Sequence, residues 1–198
     1  MSIESISGSM NKYYNIIVAT DNKNGFSKDN KIPWYISKDF KNFKIITTST
    51  PKPELKNVMI MGRVTFETLD RPLDDRINIV ITSNPEMIKI NNPKNTALYF
   101  CNSLKDAELL IDKLTNVHHI FIIGGERIYK EALDTLHINT IYRTFIDREY
   151  NCDRFFPKIS EEVFLLETRT KMFVQNDFSY NFECWKNKSA YKNKNFFQ

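Results

Sequence analysis

Five short apolar runs constrain this 198-residue chain more than any other feature: "YNIIVAT" at 14–20, "NVMIMG" at 57–62, "INIVIT" at 77–82, "TALYFC" at 96–101 and "HHIFIIGG" at 118–125. Most are continuous rather than alternating. A strand that faces water on one side alternates with period two, so an unbroken β-branched run reads as a strand covered on both faces, the habit of a parallel sheet. Parallel neighbours cannot be joined by a tight turn, and helical segments stand where crossovers are needed. They are "SKDFKNFKIIT" (37–47), "SLKDAELLIDKLT" (103–115) and "ERIYKEALDTL" (126–136). In the second, Leu104, Ala107, Leu110, Ile111 and Leu114 form one apolar stripe, and Ser103 is placed as its N-cap. This alternation predicts an α/β fold with right-handed crossovers and helices on both faces of the sheet. The last third differs. "TIYRTFI" (140–146), "EEVFLLETRTKMF" (161–173) and "FSYNFECWK" (178–186) follow one another without a helix, the last two across "VQND", a hairpin turn. An antiparallel edge on a mostly parallel sheet, in one domain, is the expectation.

Composition excludes more than it selects. At 41% hydrophobic and 26% charged residues the chain is globular, and a net charge of +4, scattered except in the tail "WKNKSAYKNKNFFQ", gives no call for nucleic acid beyond a weak phosphate-binding strip there. The polar, lysine- and asparagine-rich end reads as a solvated tail. Cys101, Cys152 and Cys184 are far apart and odd in number, and His118, His119 and His137 lack ligand spacing, so neither a disulfide framework nor a metal is expected. "MSIESISGSMNKYY" has no apolar core of signal-peptide length and no run reaches membrane-span length, so a cytoplasmic protein is expected.

Candidate sites cluster at the ends of the runs. In "IPWYISKDFKNF" a carboxylate, Asp39, sits among Trp34, Tyr35, Phe40 and Phe43. Two readings fit: a wetted charge in the first turn of a helix, or one wall of a slot for a flat ring whose N–C–N edge donates two hydrogen bonds. "IMGRVTFETL" and "FIIGGERIY" each run a strand into glycine and then a helix, with Arg63, Thr65 and the Gly124-Gly125 pair placed to approach a phosphate, or to make a tight turn and nothing more. Neither is a G-x-G-x-x-G fingerprint. Arg76 precedes one strand, where it is either solvated or forks onto a carboxylate, and Thr82 and Ser83 end that strand, where α/β sheets bind ligands.

Taken in order, "IVAT", "IPWYISKDFKNF", "VMIMGRVTFETL", "RPLDDRINIVIT", "IIGGERIY" and "YRTFIDREYNCDRFFP" resemble dihydrofolate reductases over residues 13–187, leaving polar tails at 1–12 and 188–198. The resemblance implies an eight-stranded, mostly parallel sheet, NADPH as cofactor, and reduction of dihydrofolate by hydride to C6 and a proton to N5. It assigns catalysis to Asp39, Thr144 and Trp34. Ile17, Val18, Ala19, Phe40, Phe43, Leu69, Ile123 and Tyr129 would line the substrate, with Arg76 on its glutamate carboxylate. Cofactor contacts would fall on Ala19, Gly25, Phe26, Ser27, Gly62, Arg63, Val64, Thr65, Thr68, Thr82, Ser83, Gly124, Gly125, Glu126, Arg127 and Ile128. Arg63 with Ser83 would select a 2′-phosphate, and the Gly124-Gly125 bond would be cis. Where members of the family often read Gly-Ile-Gly in a mobile loop, this chain reads Gly25-Phe26-Ser27, which bears on loop closure, and Phe66 replaces a usual tryptophan. The implied partners are dihydrofolate and antifolate inhibitors. A monomer is expected unless the chain is the reductase part of a fusion with thymidylate synthase. A sister reductase of another cyclic nitrogen substrate, or a binding module that has lost catalysis, are the rival readings.

Overall fold

A computed structural model describes residues 13–94 and 96–192. The continuous runs are strands: β1 (Tyr14–Thr20), β3 (Lys56–Gly62), β4 (Arg76–Ile81), β5 (Leu98–Cys101) and β6 (Val117–Ile122), with β2 (Gly25–Ser27) short and apart from them. Between them stand α1 (Ser37–Thr48), α2 (Arg63–Glu67), α3 (Leu104–Asp112) and α4 (Glu126–Thr135). The chain ends in β7 (Ile138–Ile146), β8 (Arg154–Phe155), β9 (Phe164–Arg169), β10 (Phe173–Gln175), β11 (Phe178–Asn187) and a helical turn, α5 (Ser189–Lys192).

The main sheet runs β10-β11-β7-β1-β6-β3-β4-β5, with β9 also on β11. All pairs from β7 to β5 are parallel, and β11 is antiparallel to β7, β9 and β10. The segment expected as one strand at 161–173 is two. β9 and β10 occupy successive stretches of the same edge of β11, so nine segments fill the expected eight positions. The hairpin turns at Asn176, which takes φ 52, a conformation that asparagine tolerates better than most residues.

Burial on both faces explains the unbroken apolar runs. Ile16, Val58, Ile60, Ile79, Ile120 and Ile122 face α3 and α4, whose Leu104, Ala107, Ile111, Ile128 and Ala132 complete one core. The alternate residues Ile17, Met59, Met61, Val80 and Phe121 face Phe43 and Ile46 of α1 and Phe66 of α2. Each such side chain removed from water contributes about 1.5–3 kcal/mol. Ser103 caps α3 by accepting from Asp106 N–H (3.1 Å), as its place before the stripe predicts. α1 stops before Pro51 and Pro53, since a proline disfavours helical backbone in the residue before it.

Asn57 and Asn78, both wholly buried, interrupt two of the apolar strands. Asn78 accepts from Leu73 N–H and donates to Leu73 and Ala97 carbonyls, tying the segment before β4 to the one before β5. Asn57 does the same between α1, β3 and β6, as described below. Buried amides persist only where their bonds are made, so both act as fixed joints.

Candidate active site

The carboxyl ends of β1, β3, β4 and β6 open into a cleft of ≈ 1030 Å³ bounded by α1, α2 and the start of α4. That exceeds the space a single small ligand needs. Of the catalytic, substrate and cofactor residues that the resemblance assigns, all but Gly25 and Gly124 line it.

At its centre the first turn of α1 presents Asp39. Thr144, on β7 directly beside Ala19 of β1, donates its hydroxyl to Asp39 Oδ1 at 2.6 Å. The carboxylate opens to the cleft but is otherwise walled by protein. Burial raises its pKa above the ordinary value, partly opposed by the Thr144 bond, so it holds a proton to higher pH than a free carboxyl. Asp39 thus stands in the first turn of α1, as one reading has it, but its side chain faces the cleft instead of open water. Trp34, 5% exposed, stands against Tyr150 with ring centroids 5.2 Å apart, and its buried Nε1 has no protein partner among the described residues. Phe43 forms the adjoining wall, while Phe40 lies on Tyr35 at 5.3 Å nearer solvent. Ile17, Val18, Leu69 and Ile123 supply apolar lining.

One end of the cleft is cationic. Arg76 is 6% exposed, donates from Nε to Asp74 O (2.9 Å) and from Nη1 to Thr47 Oγ1 (2.7 Å), and lies 5.9 Å from the Phe43 ring. Burial lowers its pKa, but a guanidinium stays charged. Thr47 was not recognisable in advance: in "ITTSTP" it reads only as the end of a helix.

The other half is built from backbone. Gly62 N–H donates to Gly124 O (2.8 Å), the Gly124-Gly125 peptide is cis, and Gly124 takes φ 125. A Cβ on Gly124 would stand 3.2 Å from Thr65 Oγ1, so glycine alone lets α2 and α4 start so close together. Gly125, the N-cap of α4, has no side chain to cap the helix, so its first amides lack a side-chain acceptor, and Gly125, Glu126, Arg127 and Ile128 line the cleft. Tyr129, on the first turns of α4, donates its hydroxyl to Ile17 O (3.0 Å) and packs edge-on to Phe26 (5.5 Å). Ile128 is buried beside Gly62. Val64, Thr68, Ser83 and Arg127 are exposed along the rim, and Thr82 Oγ1 accepts from Asn84 N–H. Arg63 donates from Nη1 to both Glu67 oxygens (2.8 and 2.9 Å), and Glu126 accepts from Phe155 N–H (3.0 Å).

The loop over the cleft is tied down at both ends of a short ribbon. Gly25–Ser27 pairs with β8 as a two-stranded ribbon, and Phe26 and Ser27 line the cleft while Gly25 turns away. Asp21, 1% exposed, accepts from Lys23 N–H (2.9 Å), Gly25 N–H (2.7 Å) and Tyr150 N–H (3.1 Å). A Cβ at Gly25 would stand 2.4 Å from Cys152 Cβ. Gly25 therefore serves close packing. No group of three or more His, Cys, Asp or Glu among the described residues is arranged to hold a metal, and no helix there is long and apolar enough to cross a membrane.

A family described as dihydrofolate reductase matches residues 13–187. This chain belongs to the dihydrofolate reductase family. The dihydrofolate reductase of Schistosoma mansoni is 36% identical over 180 residues, covering 85% of this chain and 92% of that protein. That of Heliothis virescens is 31% identical over 179 residues, covering 87% and 96%. The bifunctional dihydrofolate reductase-thymidylate synthase of Daucus carota is 35% identical over 178 residues, where the match covers 87% of this chain but 33% of that protein.

Proposed function

We propose that the chain reduces 7,8-dihydrofolate to 5,6,7,8-tetrahydrofolate with NADPH, supplying tetrahydrofolate for one-carbon metabolism. The observation that carries this is Asp39: a carboxylate bonded to Thr144, beside an aromatic wall, with a buried guanidinium at the far end of the same cleft. A flat ring with an N–C–N edge, carrying an anionic tail, satisfies all three together.

The residues present fit a dinucleotide. The Cβ-free Gly62 and Gly124-Gly125, the uncapped amides of α4, and the hydroxyls of Thr65, Thr82 and Ser83 suit its phosphates and riboses, with Arg63 and Arg127 as cations. Arg63 beside Ser83 is the pair suited to a 2′-phosphate. Ala19, Phe26, Ser27 and Ile123 would flank the nicotinamide, Val64, Thr68, Glu126 and Ile128 would complete the cofactor wall, and Gly25 and Gly124 would shape it from behind. When bound, NADPH would supply the hydride for C6 of the pterin, leaving NADP+, while N5 takes a proton and the C6=N5 bond is reduced. Asp39 accepts from N3–H and the 2-amino group, and its charge favours protonation at N5. Thr144 orients the carboxylate. Trp34 Nε1, which has no protein partner among the described residues, would donate to the water through which that proton passes. Phe40, Phe43 and Leu69 would pack on the pterin and aminobenzoyl groups, with Ile17, Val18 and Tyr129 shaping the pterin end and Arg76 forking onto the glutamate carboxylate.

Residues 13–187 form the catalytic unit in this reading, with 1–12 and 188–198 as tails and antifolates as cleft ligands. It acts in the cytoplasm, as a monomer or as the reductase part of a thymidylate synthase fusion. The test is loss of NADPH absorbance on adding dihydrofolate, native chain against Asp39→Asn. Rapid oxidation that falls about a hundredfold or more in the variant near neutral pH is expected. A folded native chain that binds NADPH but does not oxidise it would overturn the proposal.

A further inference from the structure

Asn57 uses every polar atom of its side chain. Nδ2 donates to Thr47 O (2.9 Å) and Ser49 O (3.0 Å) at the end of α1, and Oδ1 accepts from His119 N–H (3.0 Å) on β6. The carboxyl end of α1 is thereby bolted to the middle of the sheet. The next link is Thr47, wholly buried, whose hydroxyl donates to Phe43 O (2.8 Å) one turn back. With its proton committed, the hydroxyl oxygen is an acceptor, and Arg76 Nη1 donates to it at 2.7 Å. Asp74 O takes Nε. A guanidinium has five N–H groups; the other three make no hydrogen bond to the described residues, and Arg76 lines the cleft.

We propose that Thr47 is a positioning residue that sets the Arg76 guanidinium for the carboxylate of a tailed substrate, and so determines preference for substrates carrying that tail. This rests on the reductase reading above. A free arginine side chain samples many rotamers. Two bonds on its inner edge hold the plane before the ligand arrives, and preorganisation of that kind shows in affinity rather than in the chemical step. Thr47 stands beyond the cleft lining, and the pterin end with Asp39 and Thr144 does not depend on it.

The test compares Thr47→Val, nearly isosteric but without the hydroxyl, with native chain on two substrates: dihydrofolate, and a dihydropterin lacking the aminobenzoylglutamate tail. A hydrogen bond to a charged group corresponds to on the order of tenfold or more in binding. The expected result is a rise of about that size in KM for dihydrofolate, with kcat nearly unchanged and both constants for the tailless substrate unaltered. Thr47→Ser should restore the native KM, and Thr47→Ala should reproduce the valine split if valine disturbs packing. Calorimetry with folate and with pterin should show the same division without turnover. Equal losses on both substrates, or an unchanged KM for dihydrofolate, would overturn the proposal. A native chain inactive on dihydrofolate would instead overturn the reductase reading, so the two failures are distinguishable.

Discussion

The antiparallel edge contains an ionic rung whose two arms should differ in strength. Arg143 of β7, Glu183 of β11 and Arg169 of β9 lie directly opposite one another across three strands. The Glu183 side chain is 1% exposed and accepts from Arg143 Nε (2.7 Å), Arg169 Nε (2.8 Å) and Trp185 Nε1 (2.9 Å), with Arg143 Nη2 in ion-pair contact at 2.6 Å. Arg143 is 12% exposed and Arg169 51%. Breaking a buried pair strands a charge that water cannot reach, at about 3–5 kcal/mol, whereas a solvated pair contributes about 0.2–1 kcal/mol. Arg143→Met, which keeps the stem and removes the charge, should therefore lose about 3 kcal/mol, or about 6–12 °C in Tm for a domain of this size. Arg169→Met should lose less than about 1 kcal/mol. Urea unfolding reads both as midpoint shifts at constant m. Raising the salt concentration should erase the Arg169 contribution and leave most of the other. Equal losses from the two variants, or an Arg143 contribution that salt abolishes, would show that burial does not set the strength of this rung.

Two further outcomes follow from the site. Gly25→Ala places a methyl 2.4 Å from Cys152 Cβ and 3.0 Å from Asp21 Oδ2; it should lower stability by about 1–3 kcal/mol in thermal melts, and an unchanged Tm would mean the loop is not held against Cys152. Asp39→Asn keeps an acceptor for Thr144 and removes a carboxyl whose pKa burial raises. Below the ordinary carboxylate range the native group is neutral in both states; as pH rises the unfolded chain ionises first, and native stability falls until the folded group has ionised too. The variant should thus be the more stable near neutral pH, with the gap closing below about pH 4 in paired urea titrations. A gap that does not depend on pH would refute the burial argument.

Much of the cleft was legible because its residues sit at the ends of runs whose period and order are local properties. Asp39 among aromatics, glycine closing β3, and Gly124-Gly125 before α4 can all be read from a few neighbouring letters. Thr144 became legible only through the order of motifs, since the partner that gives it meaning lies 105 positions away. Thr47 and Asn57 were not legible at all. A threonine near a helix end and an asparagine at a strand start are common, and only the packing of α1 on β3 and β6 joins them to Arg76. The close packing at Gly25 was hidden for a related reason: Cys152, which stands against it, lies 127 residues further on.

The sequence by itself determined the parallel core, the two-faced burial of its strands and the positions of the helices, because hydrophobic period is written residue by residue and the sheet must satisfy it. Tertiary structure alone decided the split edge at β9 and β10, the ribbon of β2 with β8, and the bonds that orient Asp39 and Arg76. Each of these depends on which distant polar group supplies the missing hydrogen-bond partner, and that choice exists only once the chain has closed on itself.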